Sequence, residues 1–404
     1  MSPTFPAKLL TRFGMHVSGA DAWPRPDIVD PIINHLARGD SVKMFGLRRI
    51  GKSTCMAQVR QGLAGRAVLV HTDAQNANTM SAFTKELLNA VPEAAQGMGL
   101  RRRLAGLAGL AQPVMQMFAA MQKGEPTASD PQAEAAFLAY WTSFAPFIGQ
   151  HLAEQGQQVV ICLDEFPLLC DKLATGPGGV AAVNTILAEL RRWRSLQPHP
   201  LAMFFTGSVG FASIAKRHGL DRNAINDLRT MNLPPLPEAD TAAMLRALIA
   251  GNTPPGQWNE AMIARFRALL PETHAGVIQY AFQQMLDAKV SSEENIRDVF
   301  ATKVEGGLLA DFYTQFDERL RDHDKVEARR LRLGVKLVAA APQGLPEAEF
   351  LPGFLAAGEA QAEAADVIAI LIEDGFLGHD LTARKLVLAD GLVRGWWRRQ
   401  SAFQ

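Results

Sequence analysis

The first half of the chain alternates short apolar runs with longer segments in which apolar residues recur every three or four positions. The segment after the first run carries Met56, Val59 and Leu63 at this helical spacing. Strands that alternate with helices predict a parallel sheet covered by helices on both faces. The four runs predicted as strands are SVKMF from Ser41, AVLVHTDAQ from Ala67, VVICLD from Val159 and LAMFFTG from Leu201, with helices predicted over 74–95 and 133–156.

The pattern changes at a proline-rich stretch, LPPLPEAD, which runs from Leu233 to Asp240. Beyond it the apolar spacing is helical to about residue 320. From Asp324 onward three helical segments precede a short apolar run, LVLAD, and a last helix, GLVRGWWRRQ. Three helices with a small β element predict a winged helix.

The stretch FGLRRIGKST, Phe45 to Thr54, follows the first predicted strand and enters a predicted helix. Its Gly46, Gly51, Lys52 and Ser53 fit the spacing G-x-x-x-x-G-K-[S/T] of a phosphate-binding loop. Glycines let the backbone turn closely around phosphates, Lys52 would neutralise them, and the Ser53 hydroxyl would ligate Mg²⁺. The residues expected to surround the nucleotide phosphates are Gly46, Leu47, Arg48, Arg49, Ile50, Gly51, Lys52, Ser53 and Thr54.

The third predicted strand ends in two acidic residues, Asp164 and Glu165. Because five apolar residues precede them, the strand is expected to be buried on both faces. Nucleotide hydrolysis needs a carboxylate near Mg²⁺ and a group that polarises the attacking water. We expect Asp164 to hold the metal and Glu165 to polarise the water; an ordinary buried strand with an acidic end is the alternative.

The balanced overall charge excludes a general electrostatic attraction of the whole chain to nucleic acid or membrane. Lysine plus arginine and aspartate plus glutamate number 41 each, so the whole chain carries no field that would draw it onto nucleic acid or membrane. Any contact with nucleic acid must come from a local patch. Three cysteines, Cys55, Cys162 and Cys170, fall in predicted core elements without metal-ligand spacing, which indicates reduced thiols and a cytoplasmic location.

The segment Leu104–Met121 is uncharged and about long enough to span a bilayer. It contains Gln112, Pro113 and Gln116, and it lies between two strands that are predicted to share one sheet. We therefore expect a mobile apolar hairpin or a partner-binding insertion, and no membrane role.

Together these signals divide the chain into four parts. Residues 1–40 form a lead-in to the nucleotide pocket, and residues 41–235 form a P-loop core with an insertion at about 97–130. Residues 236–320 form a helical lid, and residues 321–404 form a winged-helix-like domain. The predicted fold class is α/β: a P-loop NTPase parallel sheet with helices on both faces, followed by an all-α lid and a winged helix.

Several of these residues resemble the prokaryotic archaeal-type ATPase group within the AAA+/STAND P-loop ATPases. The paired Arg48 and Arg49 in the loop, the Asp-Glu-Phe ending at Phe166, and the Gly207–Ser208 pair after the fourth strand carry the resemblance. Arg229, which precedes the proline-rich joint, also fits it. Of the motifs that carry the resemblance, only the loop and the acidic strand are specific to such ATPases. At His274–Phe282 the chain departs from the group, because Ile278 replaces the expected proline, and no nucleotide contact is assigned there.

The resemblance implies further roles. Thr206 or Ser208 would sense the γ-phosphate, and Arg229 would act as an arginine finger or sensor, with a surface salt bridge as the equally weighted alternative. A preference for ATP rests on the resemblance, since the predicted strands carry no guanine-reading N/T-K-x-D motif.

The sequence therefore predicts a cytoplasmic, Mg²⁺-dependent ATPase that binds and hydrolyses ATP and acts as a switch on a protein partner or through self-association. Two alternatives stay open: a DNA-handling ATPase of the initiator or transposition-helper type, and a nucleotide-binding scaffold that does not hydrolyse. DNA contact is not favoured, because the candidate recognition helix, residues 359–374, carries only acidic charged side chains. The basic residues that could contact DNA are Arg384, Lys385, Arg398 and Arg399.

Overall fold

The computed structural model describes residues 5–12, 19–74, 77–91, 131–154, 156–197, 199–254 and 258–401. The chain divides into two compact units. The sheet unit comprises Pro26–Phe45 and Cys55–Asn232, and the helical unit comprises Met1–Arg25, Gly46–Thr54 and Leu233–Gln404. The predicted insertion at 97–130, with the apolar segment Leu104–Met121, lies outside the described residues.

The sheet unit is built on five parallel strands in the order β2-β3-β4-β1-β5. The strands are β1 Val42–Phe45, β2 Val68–Asp73, β3 Val159–Asp164, β4 Ala202–Gly207 and β5 Arg229–Thr230. The residues of β4 are all buried, as are all of β3 except its last, which is the burial expected of a parallel sheet covered on both faces. The predicted fold class is confirmed.

Seven helices in the described residues accompany this sheet. They are α1 Pro26–Leu36, α2 Lys52–Leu63, α3 Met80–Ala90, α4 Pro131–Ala153, α5 Phe166–Thr175, α6 Gly179–Trp193 and α7 Phe211–His218. Helix α2 begins in the loop segment, and its Met56, Val59 and Leu63 are buried as their spacing predicts. Helix α3 is shorter than the predicted helix over 74–95.

The helical unit holds a run of helices and a small sheet. Its helices are α8 Glu238–Asn252, α9 Glu260–Leu269, α10 Ala275–Asp287, α11 Glu293–Val299, α12 Ala310–Arg321, α13 Lys325–Ala339, α14 Glu347–Ala356, α15 Gln361–Glu373 and α16 Gly391–Ser401. A π-helix, Phe300–Leu309, joins α11 to α12 without a break. None of the helices in the described part of the chain combines the length and the apolar character that a membrane crossing requires.

The end of the helical unit combines helices with three short strands, of which the sequence predicted only the last. Strand β6, Leu345–Pro346, lies between α13 and α14, and a hairpin of β7, Leu377–Asp380, and β8, Lys385–Leu388, lies between α15 and α16. The three strands form an antiparallel sheet in the order β6-β8-β7.

The described part of the N-terminal lead-in binds helix α8 through its backbone. The Leu9 N–H donates to the Ala247 carbonyl at 2.9 Å, and the Asn252 side chain donates to the Leu9 carbonyl at 2.9 Å. A Cβ on Gly251 would lie 2.3 Å from that carbonyl oxygen, so this close approach requires glycine.

Candidate nucleotide-binding and catalytic site

Asp164 ends strand β3 beside Thr206 of strand β4. The register pairs Leu163 with Phe205, and the Thr206 hydroxyl donates to Asp164 Oδ1. The Glu165 N–H donates to the same oxygen at 3.1 Å. In the described residues Oδ2 has no hydrogen-bond donor, so one carboxylate oxygen is held and the other is available to a ligand.

Glu165 follows directly and has a left-handed backbone conformation, with φ 56° and ψ 36°. Because a non-glycine residue adopts this region only at a cost, its surroundings must hold it. Ser208 does so with two donors to Glu165 Oε2, its backbone N–H at 2.8 Å and its hydroxyl at 2.8 Å. One oxygen of Glu165 is thereby fixed at the carboxyl ends of β3 and β4.

The residues after Glu165 anchor it to the core. Phe166 is fully buried and stacks on Phe205 with ring centroids 4.2 Å apart. Pro167 follows in the first turn of α5, where a missing N–H costs nothing. A Cβ on Gly207 would lie 2.6 Å from Pro167 Cδ, so glycine is needed for β4 to pass the start of α5. The segment Asp164–Pro167 and the pair Gly207–Ser208 therefore pack against each other and depend on each other's residue types.

The two residues that were expected to sense the γ-phosphate are both buried. Thr206 is 0% exposed and Ser208 is 1% exposed. Their hydroxyls donate to Asp164 and Glu165 respectively. What the structure brings together in the sheet unit is therefore a pair of carboxylates with a pair of hydroxyls that position them.

The loop that the sequence predicts to bind phosphates belongs to the helical unit. Gly46 and Gly51 have φ of 150° and 112°, which side chains rarely permit, so these two positions require glycine. Leu47 and Ile50, which lie between the two glycines, are buried at 3% and 8% exposure.

Lys52 directs its charge into this loop. Its Nζ donates to the Gly46 carbonyl at 3.1 Å and to the Leu47 carbonyl at 2.5 Å, and the residue is only 6% exposed. A buried ammonium group is stable only when it has acceptors, and phosphate oxygens can take the place of these carbonyls as stronger, charged acceptors.

Ser53 and Thr54 are half-buried in the first turn of α2, and no acidic residue lies in that turn. The first N–H groups of a helix lack partners within the helix and favour anions. Each unit carries groups that fit the expected ligands: in the helical unit the loop and helix start suit phosphates and the Ser53 hydroxyl is an oxygen ligand of the kind that Mg²⁺ prefers, and in the sheet unit the Asp164 carboxylate is another. Among the described residues, no three His, Cys, Asp or Glu side chains form a separate metal cluster.

Arg229 lies away from the carboxyl ends of the strands. It pairs with Val42, the first residue of β1, about 10 Å along the strand from its last residue. Its side chain is exposed, and it lines a polar groove of about 470 Å³ at the amino end of the sheet. The other lining residues are Gly39, Asp40, Ser41, Arg194, Asn226, Asp227 and Leu228.

In this groove Arg194 and Asp227 form a two-point ion pair, with N···O distances of 2.8 and 2.7 Å. Burial acts to raise the pKa of Asp227, but the hydrogen bond and charge of Arg194 outweigh it, so the pKa is lowered. Arg194 also donates to the Ala224 carbonyl, and Arg229 has no ion-pair partner among the described residues.

The fold class is that of a P-loop α/β sheet followed by a helical domain. No protein-family model and no curated protein sequence matches the chain. The Walker-type ATPase paby2304 of Pyrococcus abyssi has a similar fold, with a TM-score of 0.53 and 13% identity over 97% of this chain and 98% of that one. The ADP form of the Aeropyrum pernix ORC2 protein aligns more weakly, with a TM-score of 0.44 and 12% identity over 100% and 97% of the two chains.

Proposed function

We propose that this chain is a cytoplasmic, Mg²⁺-dependent ATPase that acts as a nucleotide-driven switch on a protein partner. The observation that carries the proposal is the carboxylate pair at the end of β3, each member of which is held through one oxygen by a residue of β4. Among the described residues the other oxygen of each carboxylate has no donor, which leaves one acceptor on each for a ligand. The name of the Pyrococcus abyssi protein, a Walker-type ATPase, agrees with the proposal.

Each residue has a distinct role in the proposed reaction. Lys52 neutralises the outer phosphates, and the loop N–H groups hold them. The Ser53 hydroxyl and the Asp164 carboxylate would hold Mg²⁺, which would supply charge neutralisation for the phosphates. Glu165 orients the attacking water and accepts its proton through the oxygen that Ser208 leaves available.

Arg229 would assist in a different way. An arginine can stabilise the transferred phosphate charge either in its own chain or in a neighbouring one. Because Arg229 is exposed at the amino end of β1, we propose that it serves a second copy of the chain. Self-association would then be part of the switch.

The end of the helical unit supports a protein partner better than DNA. On and beside α15, Glu359 and Glu363 bind Arg330 at 2.8 and 3.0 Å, so an acidic, internally paired face lies where a recognition helix would carry free cations. Two of the basic residues that could contact DNA already make contacts within the chain. Lys385 donates to the Gln343 carbonyl at 3.3 Å, and the Arg399 guanidinium lies 6.0 Å from the Tyr313 ring centroid.

The deciding experiment is ATP turnover by the purified full chain, with Lys52→Ala and Glu165→Gln beside the wild type. We expect Lys52→Ala to lose binding and turnover, and Glu165→Gln to keep binding and lose turnover. Lys336→Ala and Glu294→Gln, which change exposed residues of the same types, should match the wild type. Nucleotide binding with turnover unchanged in Glu165→Gln would contradict the catalytic role and favour a scaffold.

A parallel measurement with duplex DNA tests the DNA-handling alternative. That alternative predicts an affinity that falls steeply with salt and is lost when Arg384, Lys385, Arg398 and Arg399 are changed together to alanine. We expect instead weak binding that the four substitutions barely change, and turnover that DNA does not stimulate.

A further inference from the structure

One residue of the phosphate-binding loop is held by helices that follow far along the chain. Arg49 has a left-handed backbone conformation, with φ 66°, which a residue with a side chain adopts at a cost. Its guanidinium group binds the carboxylate of Asp311 in α12, with an N···O distance of 2.8 Å. Its carbonyl oxygen lies so close to α10 that a Cβ on Gly276 would be 2.0 Å away. Two contacts outside the loop therefore fix this conformation.

The contacts to Arg49 come from α10 and from the start of α12, and the π-helix that leads into α12 packs on α10. Gly307, in the π-helix that leads into α12, lies against Tyr280 of α10, where a Cβ would be 2.3 Å from the Tyr280 hydroxyl oxygen. The π-helix is rare, and its occurrences concentrate at functional sites. Because Asp311 is the second residue after it, the π-helix sets where the Asp311 carboxylate lies relative to Gly276.

We propose that Asp311 is a positioning residue that maintains this conformation of the phosphate-binding loop and competes with nucleotide phosphates for Arg49. The inference rests on the proposed function, and it adds the regulation of the same loop. A triphosphate attracts the guanidinium group of Arg49, and it also repels the carboxylate that now binds that group. Each binding event therefore weakens the other.

The competition works in both directions, because coupling between two binding equilibria is reciprocal. Asp311 lowers the affinity of the loop for nucleotide, and nucleotide in turn releases the start of α12. Nucleotide in the loop thereby changes the contacts of α12, whose second residue is Asp311. The pair is exposed, with side-chain exposures of 45% and 60%, so the effect is small and depends on salt.

The test is calorimetric binding of a slowly hydrolysed ATP analogue with Mg²⁺ to the full chain. Asp311→Asn should tighten binding about two- to fivefold, the range that an exposed ion pair provides. The gain should shrink when salt is raised to about 0.5 M. Asp311→Glu keeps the charge and should stay near the wild type. Asp298→Asn is the matched control, because it neutralises an exposed carboxylate in α11 that does not touch the loop.

A second readout needs no nucleotide. Hydrogen exchange of the amides of residues 46–51 should be faster in Asp311→Asn than in the wild type or in Asp298→Asn. Unchanged exchange, or binding of the analogue that is unchanged or weaker in Asp311→Asn, would overturn the proposed competition. Failure of the proposed function looks different: the wild type would bind no nucleotide, whatever the loop exchange shows.

Discussion

Ser208 donates both its backbone N–H and its hydroxyl to one carboxylate oxygen of Glu165, each at 2.8 Å. Hydrogen bonds to a charged group contribute about 1.5–3 kcal/mol each. The second carboxylate oxygen accepts no hydrogen bond from the described residues. Ser208 is therefore a positioning residue for the proposed base, at the place where the resemblance implied a sensor of the γ-phosphate.

Ser208→Ala removes the hydroxyl donor and keeps the backbone donor. Because Glu165 is then held by one bond, we expect kcat for ATP hydrolysis to fall by about tenfold while KM stays near the wild-type value. Steady-state kinetics with the purified protein measures both constants. Ser195→Ala removes an exposed hydroxyl of the same unit and should change neither. A raised KM with unchanged kcat would instead place the Ser208 hydroxyl on the nucleotide.

Thr206→Val tests the other hydroxyl. Thr206 is fully buried and donates to Asp164 Oδ1, and valine keeps its shape without the donor. We expect a loss of about 1–2 kcal/mol in the free energy of unfolding. Because outer hydrogen bonds orient metal ligands, half-maximal turnover should also need about tenfold more Mg²⁺.

The control for this change is Thr72→Val. Thr72 is buried at the end of β2 in the same sheet, and its hydroxyl donates to Glu86 at 3.1 Å. Urea unfolding should show a similar loss of stability, and the Mg²⁺ titration should not shift. Equal Mg²⁺ shifts in the two variants would remove Thr206 from the proposed metal site.

The sequence predicted four strands of the five-stranded sheet because each contains a short apolar run, and β3 and β4 are buried almost throughout. It did not predict β5. Arg229 and Thr230 are both exposed and form no apolar run, and they join the sheet through backbone bonds such as Arg229 N–H to the Ser41 carbonyl at 2.9 Å. Pairing of this kind depends on residues far apart in the chain, which local periodicity does not record.

The places of the loop after β1 and of the acidic pair at the end of β3 were predictable because their signatures are local. The partners of Asp164 and Glu165 were not, since they depend on the register of β4 beside β3. One residue in the sequence did point to this pairing. Gly207 lies between Thr206 and Ser208 at the end of a strand, where no turn requires glycine, and the structure shows that a side chain there would clash with Pro167. The π-helix was hidden for another reason: its apolar spacing resembles that of an α-helix.

Two glycines allow the effect of the contact between α10 and Arg49 to be distinguished from the general effect of a steric clash in a helix. A Cβ on Gly276 would lie 2.0 Å from the Arg49 carbonyl oxygen, and one on Gly391 would lie 1.8 Å from the Pro271 carbonyl oxygen. Both positions lie in the first turn of a helix of the helical unit. We expect Gly276→Ala and Gly391→Ala each to lower the free energy of unfolding by about 1–3 kcal/mol.

Only Gly276→Ala should disturb the phosphate-binding loop. Hydrogen exchange of residues 46–51 should therefore be faster in Gly276→Ala and unchanged in Gly391→Ala, with both variants measured under conditions that keep them folded. Equal exchange in the two variants would show that the α10 contact does not constrain Arg49.

The buried thiols predict how stability depends on alkaline pH. Cys162, in the centre of β3, is 0% exposed, and burial raises its pKa from 9.0 to about 12. Burial likewise raises the pKa of Cys170 in α5. The folded chain therefore keeps protons that the unfolded chain releases above about pH 9. Stability is retained below that pH and falls as the pH rises toward the folded pKa, by about 1.4 kcal/mol per pH unit for each thiol.

Cys162→Ala removes one of these titrations. The free energy of unfolding, measured with urea between about pH 8 and pH 11, should decline less steeply than in the wild type above about pH 9, by about 1.4 kcal/mol per pH unit. Val160→Ala is the matched control, because it creates a cavity in the same strand without removing a titrating group. Its curve should lie below that of the wild type and run parallel to it. If Cys162→Ala also runs parallel, the Cys162 thiol does not govern this part of the pH dependence.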